Sequence, residues 1–189
     1  TENSAPTLTN TTASVSEAAQ QNDSVALMSA ADADGDTLTY AITASDPLGL
    51  FYINPSTGAV IVNKSGFDYE TTTSYTLTIT ASDATASATG TLNVSVTDEN
   101  DNAPAFSSSS PTSADLSVDA SAGTTVATFS ATDVDGDSIT YSISGSDGNF
   151  FSINSSGVIT TAKALAATGT ISYWLGSTPL VKNKAFSFK

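Results

Sequence analysis

One long stretch of this chain comes back about a hundred residues later, and that repeat constrains the fold more than any other feature. "SAADADGDTLTYAI" at 29–42 returns as "SATDVDGDSITYSI" at 130–143. "FYINPSTGAVIVNK" at 51–64 returns as "FSINSSGVITTAK" at 151–163, and "SAP" at 4–6 is echoed by "NAP" at 102–104. A period of about 100 residues in a chain of 189 leaves room for two tandem units, each the size of a small sandwich domain.

Inside a unit the apolar residues alternate. Tyr75, Leu77, Ile79 and Ala81 fall on one side of a strand, with Thr76, Thr78 and Thr80 on the other. Leu92, Val94 and Val96 repeat the pattern, as do Leu38, Tyr40 and Ile42. A period of two with β-branched polar residues outside indicates half-buried antiparallel strands, and helical periodicity is absent. "DADGD", "NPSTG" and "SDATAS" supply the turns between them. The expected architecture is all-β, two tandem Greek-key antiparallel β-sandwiches. The first would span 1–102 and carry a polar linker at its end; the second would span 103–189 with an atypical or incomplete ending. Its pattern is lost after about residue 165. No counterpart of "DYE" or "YTLTITASD" follows "TTAKAL", although "TISYWL" and "KAFSFK" alternate well enough to stand for two last strands.

Charge narrows the function. Nineteen acidic residues face five basic ones, a formal net charge of −14. Such a chain repels phosphate backbones, so nucleic acid is an unsuitable partner, whereas clustered carboxylates attract cations. With no Cys and no His, disulfides, the usual zinc and haem sites and every nucleophile–histidine dyad are excluded. No Gly-rich phosphate loop is present either, and an enzyme is not expected. No apolar run approaches the ~20 residues of a membrane span. The opening "TENSAPTL" is not a signal peptide, so an export address would lie outside this fragment.

Between the two units the alternating run "SVTDENDNAPAF" (95–106) ends in carboxylates and amides, where a plain hinge would use Gly and Ser. Calcium takes six to eight hard oxygens in a tolerant geometry, and such a linker offers them on successive residues. "DYE" (68–70) on a strand puts two carboxylates on one face. "DADGD" by itself is equally ordinary turn chemistry. It fits an EF-hand loop poorly, since Gly35 is fourth rather than sixth and Thr43 stands at position twelve.

The motifs taken in order resemble an extracellular repeat of the cadherin family. They are Glu17 after the first strand, "AADADGD" (30–36), "FYINPSTGAVIV" (51–62), "FDYE" (67–70), "YTLTITASD" (75–83) and "DENDNAP" (98–104). The last is close to that family's linker signature, Asp-x-Asn-Asp-Asn-x-Pro. The resemblance covers about residues 1–163 and implies cadherin- or immunoglobulin-like sandwiches with a calcium cluster at the linker. Glu17, Asp68 and Glu70 would come from the first unit. Asp98, Asn100 and Asp101 would offer side-chain oxygens from the linker, with Glu99 and Asn102 offering carbonyls, and Asp133 and Asp135 would come from the second unit. Asp32, Asp34 and Asp83 resemble half of an upstream site, whose other half is eroded where Asn3 and Ser4 replace the expected linker residues. No Trp lies near the amino terminus, so adhesion by exchange of a Trp-bearing strand is not implied.

The function this implies is a calcium-binding, extracellular adhesion or extender module, secreted or at the cell surface. The Cys-free, Lys-poor, Thr-rich style points to a bacterial surface protein. The expected partners are calcium and another cell-surface protein or a polysaccharide, the alternative being a calcium-dependent polysaccharide-binding module.

Overall fold

The alternating segments become strands. The computed structural model describes residues 2–44, 46, 48–111, 114–117, 119–145, 148–165, 171–175 and 184–188. The chain divides into two units, Thr1–Glu99 and Asn100–Lys189.

In the first unit the strands are β1 (Thr7–Leu8), β2 (Thr11–Ser16), β3 (Ser24–Leu27), β4 (Ala30–Ala31), β5 (Thr39–Ala44), β6 (Phe51–Ile53), β7 (Ala59–Val62), β8 (Ser74–Ser82) and β9 (Ser87–Thr97). They form a four-stranded sheet in the order β2-β9-β8-β5 and a three-stranded sheet in the order β3-β7-β6, while β1 pairs with β4. The inward faces of both sheets meet in one core. Leu77, Ile79, Leu92 and Val94 come from the larger sheet, and Phe51, Ile53, Val60 and Val62 from the smaller. At about 1.5–3 kcal/mol for each large aliphatic side chain taken out of water, this face-to-face burial is the main force joining the two sheets. Phe67 adds an aromatic cluster, edge-on to Phe51 at 5.4 Å and to Tyr75 at 5.8 Å.

Among the described ladders of this unit, one departs from the expected antiparallel arrangement. β2 runs parallel to β9, from Thr11 opposite Leu92 to Ser16 opposite Thr97. A parallel pair needs a long connection between its strands. Here β2 and β9 lie near the two ends of the unit, and the rest of the sandwich is that connection.

The second unit has β10 (Ala105–Phe106), β11 (Thr125–Thr128), β12 (Ala131–Thr132), β13 (Phe151–Ile153), β14 (Val158–Thr161), β15 (Ile171–Leu175) and β16 (Lys184–Phe188). β11-β14-β13 reproduces the three-stranded sheet of the first unit, and β10-β12 reproduces β1-β4. The match extends to single bonds. Tyr40 Oη accepts the Ala30 amide at 3.1 Å, and Tyr141 Oη accepts the Ala131 amide at 3.0 Å. Gly58 and Gly157 both take positive φ and press against the carbonyls of Met28 and Phe129, where a Cβ would collide.

The units differ where the sequence does. In the first, β5 is held by β8 from Thr39–Ser82 onward. In the second, the 138–143 segment, equivalent to much of β5, forms no ladder among the described residues. "TISYWL" and "KAFSFK" do contain strands, β15 and β16, which pair with each other from Ile171–Phe188 to Leu175–Lys184.

The β8–β9 turn contains a strained residue. Ala84 sits at φ 78°, in the left-handed region, which costs a Cβ-bearing residue about 1–2 kcal/mol. Ala84→Gly removes that cost but loosens the unfolded chain by about 0.4–1 kcal/mol. A net gain of about 0.5–1 kcal/mol is expected, read as a higher urea midpoint with an unchanged slope.

Candidate metal centres

Two acidic clusters fold up locally, one in each unit, because each is written on a tight turn. In the second unit Gly136 takes φ 80° and turns Asp133-Val134-Asp135-Gly136-Asp137 back on itself, with the Asp137 amide donating to Asp133 Oδ1 at 3.3 Å. One carboxylate oxygen from each of Asp133, Asp135 and Asp137 then lies within 4.8 Å of the others. The linker residues of this unit close on the same turn. The Asn102 amide donates to Asp135 Oδ2 at 2.8 Å, and its side-chain Nδ2 donates to Asp135 Oδ1 at 2.8 Å and to Asp101 Oδ1 at 2.7 Å. Asn100 Nδ2 donates to Asp137 Oδ2. A cleft of about 280 Å³ opens among Asn100, Asp101, Asn102, Asp133 and Asp137.

These residues fit a hard cation. Every donor is a carboxylate, carbonyl or amide oxygen, with no nitrogen or sulfur ligand to favour a softer metal. Two oxygens on one calcium ion are separated by at most twice the ~2.4 Å bond, so oxygens this close can share an ion. Asp137 stands outside the ten residues expected from the sequence. Its signal was the third Asp of "DVDGD", which a turn through Gly136 brings round beside the first two.

The first unit gathers its share differently. Glu17, at the end of β2, is buried, 7% exposed. Its Oε2 accepts the Tyr69 amide and its Oε1 the Glu99 amide, both at 2.7 Å. Asp68 turns its carboxylate onto Thr71, accepting the amide at 3.0 Å and the hydroxyl at 2.9 Å. Glu70 follows in the same segment, and Asp98 and Glu99 follow β9, where Ser16 Oγ donates to Glu99 Oε1 at 2.8 Å. Of the ten expected residues, Glu17, Asp68, Glu70, Asp98 and Glu99 thus lie in the first unit. Asn100, Asp101, Asn102, Asp133 and Asp135 lie in the second.

The upstream half-site also belongs to the first unit. Gly35 at φ 81° folds Asp32, Asp34 and Asp36 into a cluster like that of 133–137. Asp32 Oδ1 accepts the amides of Asp34 and Asp36 at 2.9 and 3.2 Å. Its Oδ2 is a buried oxygen without a hydrogen-bond partner among the described residues. The chain's own start supplies donors there: the Ser4 amide reaches Asp34 Oδ2 at 2.7 Å and Asn3 Nδ2 reaches Asp83 Oδ2 at 3.1 Å. The Ala86 amide, then Asn3, then the Thr85 amide hold Asp83 below the ordinary aspartate pKa. A depressed carboxylate contributes stability above the ordinary aspartate range and loses it as pH falls through the folded value.

Comparison with known proteins bears on the fold that carries these clusters. Residues 11–97 match the family model of the Cadherin domain. The first unit belongs to the cadherin family. The whole chain is similar to the EC1-2 fragment of human protocadherin-24, at 26% identity over 97% of each chain with a TM-score of 0.78. It is also similar to the EC22-24 fragment of mouse cadherin-23, at 24% identity over 100% of this chain and 67% of that one, with a TM-score of 0.79. Drosophila N-cadherin EC1-4 matches at 24% identity over 98% of this chain and 49% of that one, with a TM-score of 0.78. At 24% the latter two speak to the fold alone, an all-β cadherin-like sandwich. Among the described residues no helix is long and apolar enough to cross a membrane.

In an NMR pH titration, Asp83 is expected to titrate below a free aspartate. Asn3→Ala should move it part of the way back up, since the Ala86 and Thr85 amides remain.

Proposed function

We propose that this cadherin-type chain is a calcium-binding extender module of an adhesive surface protein, in which calcium stiffens the 98–104 linker. The observation that carries the reading is the convergence of Asp133, Asp135 and Asp137, whose oxygens approach within 4.8 Å in a family of extracellular adhesion modules. Asp101 and Asn102 border the same turn through the hydrogen bonds already described. The ligand set is Glu17, Asp68, Glu70, Asp98, Asn100, Asp101, Asp133 and Asp135 through side chains, with Glu99 and Asn102 through carbonyls. Asp137 is a further candidate.

Calcium supplies charge neutralisation and a cross-link between oxygens that otherwise repel; the residues of the chain supply the donors and their spacing. The absence of Cys removes disulfides as another means of stiffening. Composition supports a bacterial surface protein, and another cell-surface protein is the partner an adhesive module of this kind would meet.

Extracellular calcium modules bind at ~0.1–1 mM. At a free concentration about 100 times Kd, each site adds ~2.7 kcal/mol, against ~5–15 kcal/mol for a whole small domain. Calorimetric melting in chelator and in rising calcium should therefore show a marked increase in melting temperature for the wild-type chain. Asp101→Ala should lose most of that increase while melting like wild type in chelator. A wild-type melting curve indifferent to calcium would overturn the reading.

A further inference from the structure

We infer that Glu17 is a positioning residue that clasps the acidic base of the first unit together before any cation arrives. The family resemblance makes Glu17 a metal ligand, yet both of its oxygens are already engaged by the chain. Oε2 takes the Tyr69 amide and Oε1 the Glu99 amide, each at 2.7 Å, the length of a charge-assisted bond. The two amides belong to segments 52 and 82 residues away in sequence. One lies between Asp68 and Glu70, the other follows Asp98. A single buried carboxylate therefore fixes the spacing of both acidic segments relative to the end of β2.

The surroundings are arranged around that carboxylate. The Glu17 amide donates to the Thr97 carbonyl at 3.2 Å, continuing the β2–β9 register past the strand ends. Ser16 Oγ holds the Glu99 side chain at 2.8 Å and also accepts the Ala18 amide at 3.1 Å. On the other side, buried Phe67 anchors the start of the 67–70 segment in the aromatic cluster, and Tyr69 packs against the same core. Without Glu17 the Tyr69 and Glu99 amides would lose the partner that the structure gives them, and with it two half-buried, charge-assisted hydrogen bonds. A carboxylate fits this place because it accepts on both oxygens. A glutamine of the same shape turns an N–H donor toward one of the two amides.

The clasp rests on the calcium reading only for what it positions; its bonds stand on the first unit alone. It separates two consequences of opposite sign. If Glu17 were only a ligand, removing its charge from an acidic cluster in chelator would relieve repulsion, leaving the protein equally stable or more so. If it is a clasp, Glu17→Gln destabilises the metal-free protein.

The test is amide hydrogen exchange by NMR together with thermal melting, all in EDTA, on the full 189-residue chain. In the wild type the Tyr69 and Glu99 amides should be protected although neither lies in a strand ladder. In Glu17→Gln both should exchange at least about ten times faster and the melting temperature should fall. Glu2→Gln, which also removes one charge from the first unit, should leave both amides protected. Free exchange of these amides in the wild type overturns the clasp even if the variant does not fold. So does a Glu17→Gln protein that melts at or above wild type in EDTA. A failure of calcium to shift wild-type melting would remove the calcium reading and leave these EDTA results standing.

Discussion

Like charges held close together are the constraint from which the rest of this molecule follows. Asp133, Asp135 and Asp137 bring carboxylate oxygens within 4.8 Å, and Asp32, Asp34 and Asp36 do the same. Each such pair costs from about 1 kcal/mol in water to about 4 kcal/mol at a protein-like effective dielectric near 20, and these half-exposed turns lie toward the lower figure. The fold offsets the repulsion with donors. Left-handed glycines turn amides back onto the first Asp of each cluster, Asn102 grips Asp135 twice, and Ser4 and Asn3 reach Asp34 and Asp83. Those donors neutralise partial charge only. A cation neutralises whole charge, which is why clustered carboxylates of this geometry suit a hard cation.

Comparing the two units shows which parts of a repeat are held locally. The Tyr40 and Tyr141 hydroxyl bonds, the Gly58 and Gly157 close approaches and the three-stranded sheets recur almost unchanged. Each depends on residues within one repeated segment or its immediate neighbour in space. The four-stranded sheet does not recur among the described residues, because β5 depends on β8, whose sequence the second unit lacks. A smaller substitution has a clear account: where the first unit buries Val62, the second buries Thr161, whose hydroxyl donates to the Ser121 carbonyl at 2.6 Å and accepts the Thr124 amide at 2.9 Å. A buried hydroxyl is tolerated there because it is bonded on both counts.

Much of this was legible without coordinates, for identifiable reasons. β8 and β9 showed in the alternation of Leu77, Ile79 and Ala81 and of Leu92, Val94 and Val96, and all six are buried. The Asp-rich turns showed because Asp and Gly at fixed spacing dictate a local conformation. Asp137 was missed although it stands in the same turn, since an alternating pair of aspartates reads as one face and only the left-handed Gly136 brings the third round. The direction of β2 was missed because alternation identifies a strand without identifying its neighbour.

The sequence by itself determined the strands, the repeat, the turns and the supply of carboxylates, all of which follow from residues close together along the chain. Only the tertiary structure decided that β2 lies parallel to β9 and that Glu17 is the acceptor joining Tyr69 to Glu99. Those partners are 52 and 82 residues away, and no local rule of period or turn chemistry encodes which distant amide a buried carboxylate will meet. That choice is made when the two sheets close on their core and bring both amides to one carboxylate at the end of β2.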